Sequence, residues 1–198
     1  MTEVIREYYN FPNDFPTKYE GVVLHSKYED DILCTECFTI NEKKEGEIKL
    51  YYQNDKQVYS IYTYVNDKKN GEFKRYNQEG QLLDIGTYVD DKVNGEYKEY
   101  YNNGQLQCVC TFINDKKNGE YREYHENGVL EIICTYVDDK LEGEHKTYHA
   151  NGTLSDICTF INDKKNGESK FYLENGKLCR IWYYINGELN DENKIYYP

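Results

Sequence analysis

Residues 95–118 read GEYKEYYNNGQLQCVCTFINDKKN, and the same pattern returns along the chain. The glycine that opens it recurs at Gly46, Gly71, Gly95, Gly119, Gly143 and Gly167, at intervals of 25, 24, 24, 24 and 24 residues. A fixed period of this length marks a repeat array. Each copy is then a supersecondary unit that buries its apolar face only by stacking on its neighbours.

Within one copy, two runs read as strands and two clusters as turns. The first run, GEYKEYY and its relatives, lies at 46–52, 71–76, 119–125, 143–149 and 167–173, with a degenerate last copy at 190–197. Its firmest column is Tyr51, Tyr76, Tyr100, Tyr124, Tyr148, Tyr172 and Tyr196. A looser column three residues earlier holds Ile48, Phe73, Tyr97, Tyr121 and His145. A turn centred on glycine 80, 104, 128, 152 or 176 follows, where Asn-Gly supplies the positive φ of a tight hairpin. The second run spans 82–89, 106–113, 130–137, 154–161 and 178–185. It alternates: Leu106, Cys108, Cys110 and Phe112 share one face, Val109, Thr111 and Ile113 the other. The return loop, NDKKNGE or DDKVNGE, leads into the next copy.

Glycine interrupts the chain every dozen residues, and the runs between are β-branched and aromatic, which excludes helix almost everywhere. The expected fold class is all-β: an elongated, twisted antiparallel β-meander of about six to eight 24-residue hairpin repeats, some 14 strands in all. Glu96 with Lys98, and Glu120 with Arg122, read as same-face charge pairs in a solvated row. The return loops alternate between NDKKN (114–118, 162–166) and DDKVN or DDKLE (90–94, 138–142), a double period of 48 residues. In the copy starting at Gly46, QNDKQV replaces the Asn-Gly turn, which predicts a longer loop or bulge at Asp55–Lys56.

Mean hydropathy is −0.94, yet 23 tyrosines supply buriable area in a chain otherwise polar enough to be disordered. The formal charge of −12, from 24 basic and 36 acidic residues, opposes nucleic acid or anionic lipid as the main partner. No stretch approaches the roughly 18–20 apolar residues that span a bilayer, and MTEVIREYYNFPND lacks a signal-peptide pattern. Cys37, Cys110, Cys134 and Cys158 share one column with Tyr62, Gly86 and Trp182. Equivalent positions two strands apart are separated by about 9–10 Å, beyond disulfide reach. Free, core-like thiols in a reducing cytoplasm are expected. Cys34 and Cys37 have CxxC spacing without a second pair to complete a zinc site.

Residues 1–36 read as an N-terminal cap holding a degenerate repeat, 37–189 as the repeat array and 190–198 as a partial C-terminal capping strand. REYYN at 6–10 echoes KEYYN, and CFTINEKKEG at 37–46 echoes CTFINDKKNG. FPNDFP at 11–16 reads as a rigid loop, and Pro198 with the charged NDENK as an edge blunted against further pairing.

With these elements in order at a fixed period, the chain resembles the MORN repeat family over about residues 37–197. It is most similar to the variant form known from antitoxin-like bacterial proteins and large DNA viruses. The Asn, Lys, Ile and Tyr richness would suit an AT-rich genome such as that of a giant virus, where the site of action is host cytoplasm or virion. The resemblance implies an elongated β ribbon serving as a protein–protein or membrane-proximal scaffold. Two features depart from the family pattern: NDKKNG or DDK stands where NGKxxG is usual, and the charge is strongly acidic.

No catalytic set emerges, so a non-enzymatic scaffold for protein–protein interaction, self-association through edge strands included, is the expected function. Membrane-surface recruitment by phospholipid and antitoxin-like blocking of a partner are the alternatives. His145 and His149 are four apart in one strand, about 13 Å, too far to share a metal; with His125 they read as aromatic substitutes in tyrosine columns. Neither metal nor cofactor is expected. The candidate partner-binding residues are Tyr52, Tyr101, His125 and His149, from the variable column that also holds Asn77 and Leu173, together with Trp182, the lone tryptophan.

Overall fold

The structure, a computed structural model, describes residues 2–6, 22–29, 32–52, 57–190 and 194–195. The FPNDFP segment, the Asp55–Lys56 loop, Tyr196 and Pro198 lie outside them. Packing divides the chain into Met1–Val93 and Asn94–Pro198, a boundary inside the 37–189 array. Among the described residues there is no helix, and every strand pairing is antiparallel.

The first unit carries β1 (Thr2–Arg6), β2 (Val22–Glu29), β3 (Ile32–Ile40), β4 (Lys43–Tyr51), β5 (Val58–Val65), β6 (Lys68–Tyr76), β7 (Leu82–Val89) and β8 (Lys92–Val93), each paired with the next where the register is defined. The second unit runs through four hairpins: β9 (Gly95–Tyr100) with β10 (Leu106–Ile113), β12 (Gly119–Tyr124) with β13 (Leu130–Val137), β15 (Gly143–Tyr148) with β16 (Leu154–Ile161), and β18 (Gly167–Tyr172) with β19 (Leu178–Ile185). The longer strand of each hairpin coincides with the second sequence run. Two-residue strands β11 (Lys116–Lys117), β14 (Lys140–Leu141), β17 (Lys164–Lys165) and β20 (Glu188–Leu189) come from the return loops, and β21 (Lys194–Ile195) pairs with β19. The strand number therefore exceeds the expected 14, because the return loops pair as well.

The turns divide labour differently from the sequence reading. Asn114-Asp115, Asp138-Asp139 and Asn162-Asp163 all have positive φ at both residues, as in a type I′ hairpin turn. Asn41-Glu42 does the same, so the 37–46 echo is a true copy. The Asn-Gly cluster forms a longer loop in which only the glycine is left-handed. At 101–105 the Gly104 amide donates to the Tyr101 carbonyl (2.8 Å), and Gly104 has φ 81°. A β-bulge recurs in every hairpin: Tyr100 pairs with Leu106 but Glu99 with Cys108, leaving Gln107 extra. Leu106 is therefore out of step with Cys108 and Cys110, which corrects the alternation at that end of the strand.

Across each hairpin a large side chain faces a small one. Phe73 pairs with Gly86, Tyr97 with Cys110 and Tyr121 with Cys134. Ile48 and Tyr62 reverse the sizes, and so do Ser169 and Trp182. His145 pairs with Cys158 as Tyr121 does with Cys134, and Ser169 at 1% and Cys158 at 2% exposure are among the best-buried positions. With no helix among the described residues to pack over this face, cross-strand complementarity fills its gaps. On the opposite face Glu72–Lys74, Glu96–Lys98, Glu120–Arg122, Glu144–Lys146 and Glu168–Lys170 form the solvated ion-pair row, each at 2.5–2.6 Å.

Candidate functional site

Neighbouring copies are clasped at both edges. At the return-turn edge, Asp139 donates its amide to the Lys117 carbonyl (3.0 Å) and accepts from the Lys117 amide through Oδ1 (2.7 Å). Asp163 repeats this on Leu141, Asp91 on Lys69 and Asp67 on Lys44. The aspartate standing where glycine is usual thus accepts a left-handed φ and gains a two-point bond to the preceding copy.

At the other edge lie four of the five candidate partner-binding residues. The Tyr52 hydroxyl donates to the Tyr76 carbonyl (2.9 Å) and the Tyr101 hydroxyl to the Tyr124 carbonyl (2.7 Å). His125 Nε2 meets the Tyr148 carbonyl (2.9 Å) and His149 Nε2 the Tyr172 carbonyl (3.0 Å). All four are half-buried, as are Asn77 and Leu173 of the same column. Their polar tips are committed to the next copy, 23 or 24 residues on. Trp182 is also half-buried, opposite Ser169, edge-on to Phe171 (4.9 Å) and Tyr184 (6.5 Å), with the Arg180 guanidinium 4.8 Å over its ring. It fills the volume that Ser169 gives up.

The 48-residue double period also acquires a cause. The second return-loop position is Lys69, Val93, Lys117, Leu141 and Lys165 in turn. Lys69 Nζ lies 4.2 Å from the Tyr62 ring centre and 4.9 Å from that of Tyr88. Lys117 sits over Tyr121 (4.7 Å) and Tyr136 (5.3 Å), and Lys165 over Tyr184 (5.5 Å). At these copies one ammonium sits over the aromatics of the covered face and the next copy carries an aliphatic residue, although Lys44, over Tyr64 at 5.3 Å, stands one copy before Lys69.

Two acidic groups enter this covered face in the same column. Asp84, 4% exposed, takes a two-pronged bond from Arg75 (Nε–Oδ1 and Nη2–Oδ2, both 2.8 Å). Three copies later Asp156 stands opposite Thr147, so no arginine meets it there. Its Oδ2 is buried and unbonded, like His145 Nδ1 and Ser169 Oγ nearby. Burial pushes the Asp156 carboxyl above the ordinary carboxylate range and pulls His145 below its own. The Cys158 thiol, cross-strand from His145, is pushed up to about 11 by burial and by Asp156. One nitrogen, one oxygen and one sulfur of His145, Asp156 and Cys158 lie within 4.8 Å of one another. Sequence reasoning compared histidines along one strand and so missed a set assembled across two. Its signal was that two departures, His for Tyr and Asp for an apolar or Arg-paired residue, fall in one copy.

A second recess, about 310 Å³, opens in the first unit between His25, Cys37, Thr39 and Lys44. His25 Nε2 there is bonded to Thr39 Oγ1 at 2.8 Å.

The period, the hairpin per copy and the clasps at both edges define a β-hairpin repeat protein. The MORN repeat variant family matches five consecutive copies, at 69–90, 93–114, 117–138, 141–162 and 165–186, more than half of the chain. The chain belongs to that family, whose repeats are non-enzymatic and generally serve as binding or scaffold modules. No curated protein matches it. A porin-like protein of known structure from Bacteroides uniformis ATCC 8492 aligns over 87% of this chain and 86% of its own. The identity is 10% and the TM-score 0.25, too loose a superposition to carry an argument.

Proposed function

We propose that the chain is a non-enzymatic scaffold that binds another protein along a row of exposed aliphatic side chains. The supporting observation is the residue that precedes each return turn. In the second unit Ile113, Val137, Ile161 and Ile185 are 46–58% exposed, one per copy and 24 residues apart. Val65 and Val89 hold the same position in the first unit, at 40% and 44%. Copies two strands wide set the four residues of the second unit along roughly 30 Å. Scattered surface aliphatics are ordinary, but a periodic row of β-branched ones is an apolar stripe of the kind partners cover. The clasping column of Tyr52, Tyr101, His125 and His149 already uses its polar tips within the array, so the reading rests on the row.

The test replaces Ile113, Val137, Ile161 and Ile185 together by threonine, which keeps strand propensity and removes apolar area. Light scattering and affinity capture from native cells then compare the variant with the natural chain. Lost self-association or a lost captured protein, at unchanged melting temperature, supports the reading. An identical mass and an identical captured set would overturn it.

A further inference from the structure

The geometry points to a metal site in the copy formed by β15 and β16, in which a ring nitrogen of His145, the carboxylate of Asp156 and the thiolate of Cys158 bind one zinc-class divalent ion. One ring nitrogen, one carboxylate oxygen and the sulfur lie within 4.8 Å of one another on the covered face, and the Cys158 thiol donates to Asp156 Oδ1 at 3.7 Å. Tetrahedral zinc holds its ligands about 3.5 Å apart, so small side-chain rotations close the set. His145 Nδ1 and Asp156 Oδ2 of these same side chains are buried atoms with no hydrogen-bond partner. A buried polar atom left unbonded is costly, and an ion supplies the missing partner for both. The hydroxyl of Ser169, which is 1% exposed, faces Cys158 from β18 and is the group placed to take the fourth position.

Charge and chemistry narrow the ion. A thiolate, a carboxylate and a neutral imidazole balance a dication, so Lys165, the cation facing all three groups, meets a neutral centre. Sulfur and imidazole nitrogen select zinc or cobalt over magnesium and calcium. The other copies act as internal controls. Where Asp84 stands in the Asp156 column, Arg75 faces it, and where Cys134 stands in the Cys158 column, Tyr121 faces it. In the β15–β16 copy the arginine is gone and the aromatic has become histidine.

The experiment uses the full chain, reduced and stripped of metal, titrated with Co²⁺ as the spectroscopic probe and with Zn²⁺ by equilibrium dialysis. One equivalent should bind, with a thiolate-to-cobalt charge-transfer band and tetrahedral visible bands. Cys158→Ser should abolish the charge-transfer band. His145→Phe, which restores the residue type of Phe73 in that column and so keeps the fold, should weaken binding by about 100-fold or more, since even the partners of ligands are worth 10–100-fold. Cys134→Ser, one copy earlier, should change nothing. The absence of saturable one-to-one binding overturns the site, and so does binding that survives His145→Phe or fails with Cys134→Ser.

Discussion

Replacing Ser169 by tyrosine and Trp182 by cysteine rebuilds, in the last full hairpin, the pairing found at Tyr97–Cys110 and Tyr121–Cys134. Each change alone leaves a mismatch. Trp182→Cys removes a half-buried indole from between Phe171, Tyr184 and the Arg180 guanidinium. Full loss of a buried tryptophan costs 3–5 kcal/mol, so a half-buried one should cost about 2 kcal/mol. Ser169→Tyr forces a ring into a position 1% exposed and faced by an indole, for about 2 kcal/mol of overpacking. If the two sites were independent, the double variant would lose about 4 kcal/mol; complementary volumes predict a loss of about 1, a coupling of about 3 kcal/mol.

Urea unfolding followed by far-ultraviolet circular dichroism measures the cycle, since the lone tryptophan is itself changed. A repeat array need not unfold all at once, so amide hydrogen exchange in β18 and β19 should report the same order of stabilities locally. A double variant destabilised by the sum of its parents would refute the idea that cross-strand volume sets these positions. It would also reopen Trp182 as a surface anchor.

Asp139→Ala should cost about 2 kcal/mol, losing the bond to the Lys117 amide while keeping a left-handed φ of 68°. Asp139→Gly should cost about 1 kcal/mol or less, because glycine relieves the backbone, and thermal melts distinguish the two. Tyr101→Phe keeps the ring and removes only the donor to the Tyr124 carbonyl, for about 1 kcal/mol; unchanged stability with lost partner capture would instead mark Tyr101 as a contact residue. Burial raises the thiols of Cys108 to about 12 and of Cys134 and Cys158 to about 11. Their contribution to stability is therefore complete below about pH 9 and lost as pH rises towards 11–12. Urea midpoints should fall above pH 9, and less steeply in Cys108→Ala than in the natural chain.

Much of the fold was legible because period 2 and period 24 reinforce each other. The second run of every copy is a strand with the ends that alternation and the flanking turns imply, as Leu130–Val137 and Leu154–Ile161 illustrate. The turn types were less legible. Asn-Gly is the usual sign of a type I′ hairpin, yet here Asp138-Asp139 makes that turn, because a bond to the neighbouring copy compensates a φ that no local propensity favours. The recurring bulge left no mark in composition, since Gln107, Glu131 and Ser155 look like ordinary strand residues. The clasping column offers itself in the sequence as a set of partner-binding candidates, because polar aromatics at a variable position look free. Their acceptors are backbone carbonyls one copy away, which no side-chain pattern records. The His145–Asp156–Cys158 set required the register across a hairpin, which the bulge shifts by one residue.

A repeat array makes departures from its own consensus informative, because the fold supplies the expectation at every position. At β18–β19 the departures are a matched pair: a serine makes room and a tryptophan takes it, so the local volume is conserved. At β15–β16 they do not match in that sense. His145 keeps ring volume and packs on Phe160 at 5.4 Å, but its Nδ1 has no hydrogen-bond partner, and neither has Asp156 Oδ2. Packing alone would have kept tyrosine opposite Cys158, as in the copy before. The unbonded nitrogen and oxygen of β15–β16, with the Ser169 hydroxyl brought beside Cys158 by β18, are what volume conservation leaves unexplained and what a bound ion would satisfy.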